Sequence, residues 1–307
     1  MLSVSMVKEL REKSGAGMMD CKKALLETDG KIEEAIDWLR KQGLSAVAKK
    51  SSRVAAEGLI GVTVKDNQGA LIEINSETDF VARNELFQDF VKTCSDLSLT
   101  CNEDIEILKQ MQYPNTGRSV DQELANNIAT IGENMNVRRS KILKVSNGVI
   151  ISYVHNNVAD GLGKLGVLVA LESDGDKDKL SSVGKQIAMH IAATSPKSLN
   201  IEDLDKDEVD RERQVLIDQA VASGKPKEIA EKMVNGRMLK YFQEVVLNEQ
   251  VSVIDGETKI KDVVTKLQKD LDTEVKLSGF IFLKLGEGIE VSENDFAAEV
   301  AATAGIK

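Results

Sequence analysis

Glu57-Gly-Leu-Ile-Gly-Val-Thr-Val-Lys-Asp-Asn-Gln-Gly-Ala-Leu-Ile-Glu-Ile74 changes the period of the chain from helical to alternating. Ile60, Val62 and Val64 alternate with small or polar residues. Asp66-Asn67-Gln68-Gly69 supplies turn chemistry and Leu71 to Ile74 returns, which predicts a β-hairpin. A helix carrying Phe87, Phe90 and Val91 follows. The same order recurs downstream: Gly148 to His155 as a strand, a longer loop to Gly163, then Leu165 to Leu171 as a strand. The next helix places Leu180, Val183, Ile187 and Ile191 on one face. Two such units in tandem predict an internal duplication and an α+β fold with two related halves, the first over 55–147 and the second beginning at 148.

On the N-terminal side, residues 1–45 read as three short helices inside a module of 1–50. Ile32, Ala35, Ile36 and Leu39 form an i, i+3, i+4, i+7 stripe, Asp29-Gly30 offers a turn with an N-cap candidate, and Gly43 offers a stop. Ser14-Gly15-Ala16-Gly17 joins the first two helices, and Met18, Cys21 and Leu25 share a face. Lys49-Lys50-Ser51-Ser52-Arg53 reads as a linker. On the C-terminal side, 148–196 is interrupted by 197–236, dense in charge and poor in core residues. Ser223-Gly224-Lys225-Pro226 turns there, with Pro226 placed to open a second helix whose narrow seam is Ile229 and Met233. A projecting hairpin and a solvated pair packed on the body fit that pattern equally. The second half resumes over 237–290 with Phe280-Ile281-Phe282-Leu283 as a strand. A last helix with Phe296 and Val300 falls in 291–307.

Composition excludes several classes. The formal charge of −10 argues against a nucleic-acid groove, which needs clustered Lys and Arg. No stretch approaches the roughly 20 apolar residues of a membrane span, and residues 1–10 lack a secretory pattern. Cys21, Cys94 and Cys101 are odd in number and have no C-x-x-C spacing, which fits free thiols in a reducing, cytoplasmic setting. There is no phosphate loop, dinucleotide fingerprint or nucleophile elbow. His155 and His190 are the only histidines and have no Cys partners, so no metal site and no cofactor are expected; His190 reads as a satisfied boundary histidine.

What remains is Thr78-Asp79-Phe80-Val81-Ala82-Arg83-Asn84, directly after the strand Leu71 to Ile74. Spacing alone fits a structural role: Ser76-Glu77-Thr78-Asp79 matches a capping box, with Phe80 as a staple-like core aromatic. A near twin, Ser292-Glu293-Asn294-Asp295-Phe296-Ala297-Ala298, opens the last helix. An acid beside a large aromatic at a strand end also suits a surface pushed into a partner, a reading that spacing alone does not favour.

The chain resembles the elongation factor Ts family over essentially its whole length. The resemblance rests on Val7 to Arg11 with Ser14 to Leu25, on Thr78 to Ala82, on Ile131-Gly132-Glu133-Asn134, on Ser223 to Val234 with Gly236-Arg237-Met238, and on Gly286-Glu287-Gly288-Ile289-Glu290. It implies a ubiquitin-associated-like three-helix fold for 1–50, docking on the nucleotide-binding domain of elongation factor Tu. It implies a coiled-coil arm for 197–236, with dimerisation through that arm as an option, and a C-terminal module for 291–307. Thr78, Asp79, Phe80 and Val81 match the segment that wedges into the partner near its bound Mg²⁺, and Ile131, Gly132 and His155 match further contacts. The segment Asn156 to Gly163 is longer than the short turn some relatives carry. The implied activity is nucleotide exchange by binding, with no chemistry on this chain. Two other readings are a ubiquitin- or peptide-capturing module built on 1–45, and an enzyme using Asp79 and His155 as an acid–base pair.

Overall fold

In the computed structural model, residues 3–14, 16–224 and 227–290 are described. The chain is a mixed α+β protein. It opens with α1 (Val4–Ser14), α2 (Met18–Glu27) and α3 (Ile32–Lys50). Leu10, Cys21, Ala24, Leu25 and Ala35 form a small core between them, flanked by Ile32, Ile36 and Leu39. Three local expectations change. Gly43 lies inside α3, where its missing side chain faces Ala129 across 3.9 Å. Lys31, not Asp29, holds the N-cap position of α3. Met18 is 57% exposed, so Cys21, Ala24 and Leu25 carry the buried face of α2 without it.

The first half runs β1 (Glu57–Lys65), β2 (Gln68–Ser76), α4 (Glu85–Ser98), α5 (Ile105–Gln110), α6 (Val120–Ile131) and β3 (Met135–Lys144). The second runs β4 (Gly148–Ala159), β5 (Leu162–Glu172) and α7 (Lys177–Thr194), then the helical pair α8 (Lys206–Ala222) and α9 (Lys227–Val245), then α10 (Ile260–Leu271) and β6 (Lys276–Lys284). Both halves thus follow the order strand, strand, helices, strand. Strand order is β3-β2-β1-β5-β4, with β6 also on β5, and every pairing is antiparallel. β1 pairs with β5 only at Leu162 and Gly163; β6 takes over that edge from Leu165.

The two three-stranded units share a core of Ile60, Leu71, Ile150, Leu168, Ala170 and Leu283. Their other faces are covered by helices: Leu59, Ile72 and Ile74 meet Phe87, Phe90 and Val91, while Val167, Val169 and Leu171 meet Leu180, Ile187 and Ile191. Burial on both faces explains why β2 and β5 read as apolar runs instead of alternating. Close approach is allowed by two glycines. A Cβ on Gly69 would stand 2.9 Å from Ile150 Cγ2, and one on Gly166 2.8 Å from Ile60 Cγ2. At the edge, buried Glu73 gathers Arg138, Arg139, Asn75 and the Gly286 N–H around its carboxylate.

The second hairpin differs from expectation. β4 continues through Ala159, pairing Asn157 with Gly163 and Ala159 with Leu162 across a bulge, so most of the supposed loop is strand. The register shifts between Asn157 and Ala159, and Asn156 just before it adopts φ 53, a left-handed conformation that Asn tolerates. The helical pair also differs: its seam is Leu216 and Ala220 against Ala230, Val234 and Met238. Ile229 is exposed and Met233 half-buried, so the stripe is rotated by one residue from the expected seam. α9 runs past 236 to Val245. The expected roles of Pro226, and of the last helix with Phe296 and Val300, lie outside the described residues. No helix among the described residues is long and apolar enough to cross a membrane.

His190 is fully buried on α7. Its Nδ1 accepts the Val253 N–H at 3.2 Å, so Nε2 carries the proton and donates to Gln250 Oε1 at 2.8 Å. Burial holds the imidazole below its usual range, against the opposing pull of Gln250. The unfolded chain therefore takes up this proton first as pH falls. Stability is fully present above the unfolded histidine value of about 6.5 and declines as pH drops from there towards the lower folded value. Urea midpoints measured through that window should show the decline, and His190→Gln should flatten it.

Candidate partner-binding site

β2 ends at Ser76, and the chain does not enter a helix there. Ser76 Oγ donates to the Thr78 carbonyl at 3.0 Å, folding a local turn in place of the expected capping box. A 3₁₀ turn, Val81–Arg83, follows, and α4 starts only at Glu85. Asn84 is its cap, with Oδ1 accepting the N–H groups of Leu86 and Phe87 at 2.9 and 3.3 Å.

Phe80 is 77% exposed, whereas Val81 and Ala82 beside it are buried in the first-half core. The staple-like core role read from spacing is therefore wrong for Phe80; Val81 and Ala82 anchor the turn and leave the ring outside. Asp79 is exposed and makes no ion pair among the described residues. Leu86, in the first turn of α4, is exposed as well.

The turn is held from its other side by the segment after α6. Gly132, at φ 92, ends that helix in the left-handed conformation and redirects the chain. Glu133 then accepts the Thr78 N–H and hydroxyl, at 2.9 and 2.6 Å, one on each carboxylate oxygen. Glu77 Oε1 accepts the Asn134 N–H at 2.5 Å, and the Asn134 side chain donates to the Arg53 carbonyl at 2.7 Å. Ile131-Gly132-Glu133-Asn134 is thus brought against Glu77-Thr78. Ile131 packs on the core and Gly132 is exposed. Glu133 and Asn134 belong to the motif at 131–134, but nothing in its spacing assigns Glu133 a task; only a pairing across 55 residues reveals it.

Removing the clamp should loosen the turn. Glu133→Ala is expected to cost about 1.5–3 kcal/mol, the range for hydrogen bonds to a charged group. Amide hydrogen exchange at Thr78 should speed up, while core amides of β2 shift only by the global loss of stability.

His155 lies on β4, exposed, with Nδ1 3.1 Å from the Tyr153 hydroxyl. It is not hydrogen-bonded to Asp79. Among the described residues no group of three or more His, Cys, Asp or Glu is placed to hold a metal ion.

The site is thus an aromatic projecting from a turn in which Thr78 is clamped by Glu133 and Val81 and Ala82 lie in the core. Comparison with known proteins gives the class of protein that carries it. The family model described as Elongation factor TS matches residues 77–287. The Elongation factor Ts of Rhodospirillum centenum is 59% identical over 304 residues, covering 99% of both chains. That of Rhodospirillum rubrum is 56% identical over 302 residues (98% of each), and that of Agrobacterium fabrum 52% over 303 (99% of this chain, 98% of the relative). The chain belongs to the elongation factor Ts family. Membership supports a nucleotide exchange role in translation elongation.

Proposed function

We propose that this protein binds elongation factor Tu in its GDP-bound and nucleotide-free forms and accelerates GDP release by pressing Asp79 and Phe80 into it. The observation that carries the proposal is Phe80, exposed on a turn in which Thr78 is clamped and Val81 and Ala82 are buried. A side chain so held can transmit force, because its backbone has nowhere to retreat.

Mg²⁺ tolerates only near-ideal octahedral coordination at short distances, so a small displacement of one liganding segment in the partner releases the ion. The β-phosphate charge of GDP is then poorly compensated and the nucleotide leaves. Linkage requires that GDP weaken this protein's binding as much as this protein weakens GDP binding. Incoming GTP completes the cycle by displacing the factor.

Other surfaces supply docking in this reading. Residues 1–50 act as a ubiquitin-associated-like module, presenting Met18 and Met19, which are 57% and 72% exposed. Ile131, Gly132 and His155 add contacts from the body. The pair α8 and α9, within 197–236 and beyond it, forms the coiled-coil arm, with dimerisation as a further use. Residues 55–147 and 148–196 with 237–290 are the two halves of the core, 291–307 is a C-terminal module, and the setting is the cytoplasm.

The test is release of fluorescent GDP from elongation factor Tu under excess unlabelled GDP. Strong acceleration by substoichiometric wild-type protein is expected. An unchanged release rate at saturating protein would overturn the proposal.

A further inference from the structure

The N-terminal helices meet the rest of the chain along a limited seam. The second half of α3 lies on α6, with Gly43 facing Ala129, Val47 on the first-half core and Lys50 Nζ donating to the Ile128 carbonyl at 3.5 Å. Beside that seam the two parts separate, and a cavity of about 440 Å³ opens between Trp38 and Leu39 on one side and Gln122 and Ala125 on the other.

Arg118 and Ser14 both line this cavity, and Arg118 bridges it. Its Nη1 donates to the Ser14 carbonyl at 3.2 Å and its Nε to Glu123 Oε2 at 2.6 Å. Ser14 is the last residue of α1, where unpaired carbonyls and the negative end of the helix dipole favour a cation. Glu123 is almost fully buried on α6 and is also held by Asn126 Nδ2 at 3.3 Å. The loop carrying Arg118 is itself braced. The Tyr113 N–H donates to the Arg118 carbonyl at 2.8 Å, the Arg118 N–H donates to Thr116 Oγ1 at 3.2 Å, and Tyr113 stacks on Phe90. A seam on one helix fixes position but permits pivoting; a second, braced attachment to α1 removes that freedom.

We propose that Arg118 is a positioning residue that fixes the angle of α1–α3 on the body, so that Met18 and Met19 engage the same partner that Phe80 enters. The functional half of this inference rests on the exchange-factor proposal; the geometric half does not.

The experiment uses the full chain with spin labels at Glu27→Cys and Asp178→Cys, both exposed, since Cys21, Cys94 and Cys101 are buried. The labelled parent should give a narrow distance distribution. Arg118→Gln should broaden it, and so should Arg118→Gln with Glu123→Gln, which leaves no unpaired buried carboxylate to compromise folding. Arg118→Lys, able to reach one acceptor at a time, should recover part of the order. An unchanged distribution in both Gln variants would overturn the proposal.

In the GDP-release assay the Gln variants should need about tenfold more protein for half-maximal effect, as expected if the competent angle is populated one time in ten. Their maximal rate should be kept, because the Phe80 turn is untouched. Broadening without any change in half-maximal concentration would overturn the functional half. Should the wild type release no GDP, the exchange proposal fails, and the distances still judge the latch.

Discussion

Phe80→Ala is expected to slow stimulated GDP release about 10- to 100-fold while leaving the protein folded at wild-type stability. The exposed ring contributes little to folding, and Val81 and Ala82 keep the turn docked without it. In the complex the same ring would be buried. Burial of a large apolar side chain is worth about 1.5–3 kcal/mol, and each ~1.4 kcal/mol is tenfold in an equilibrium constant. The loss should fall on the maximal release rate, with a smaller rise in half-maximal concentration, because docking draws on several surfaces. Phe80→Leu should lie between the two. Rapid release that survives Phe80→Ala would remove the ring from the mechanism and leave the exchange role to other contacts. Thermal melts of both proteins should superimpose, which separates this result from unfolding.

The largest stability effect should come from Glu73→Ala. Burial pushes the Glu73 carboxyl up, but hydrogen bonds from Asn75, the Gly286 N–H and Arg139, with the charge of Arg139, bring it below its ordinary range. Arg138 Nη1 reaches both oxygens at 3.0 and 3.1 Å, and Arg139 Nε reaches one at 2.5 Å. The same arginines tie down the end of β6, donating to the Glu287 and Lys284 carbonyls at 2.7 and 3.0 Å. Removing the carboxylate leaves two guanidinium groups with only part of their compensation and frees the Gly286 N–H. Deleting one partner of a buried ion pair costs about 3–5 kcal/mol, so the urea midpoint should fall accordingly. A loss below about 1 kcal/mol would show that the site behaves like an exposed surface pair. The pH dependence has a definite sign. The folded value is lowered, so the stabilisation is present above the unfolded glutamate value of about 4.3 and is lost as pH falls through the folded value. Glu73→Gln should lose that acid limb and a smaller part of the midpoint.

Parts of the fold were legible because local pattern and tertiary role agree. Ile60 and Val62 alternate onto the core shared by the two three-stranded units, and Leu180, Ile187 and Ile191 repeat at helical spacing onto the second core. β3 was not legible: Arg138 and Arg139 sit side by side in it, and the bulge opposite Glu73 breaks the two-residue period. α3 was cut short because Gly43 is a poor helix former in isolation, whereas in the fold it lets α3 approach α6. The arm seam was misplaced because Ile229 and Ala230 are neighbours. In a helix this polar, which of the two faces inward is set by Leu216 and Ala220 opposite.

The sequence by itself determined that the chain is α+β and that its order of elements repeats. Each of these depends on residues close together in the chain, where spacing translates directly into a face or a turn. Only the tertiary structure decided that Phe80 points outward, since its neighbours Val81 and Ala82 find a core to enter and it does not. Only the tertiary structure joined Glu133 to Thr78, Glu73 to Gly286 and Arg118 to Ser14. These are isolated polar contacts between segments distant in the chain. No periodicity announces them, because an exposed carboxylate and one destined for a clamp look alike until the backbone donors that satisfy it are brought within 3 Å.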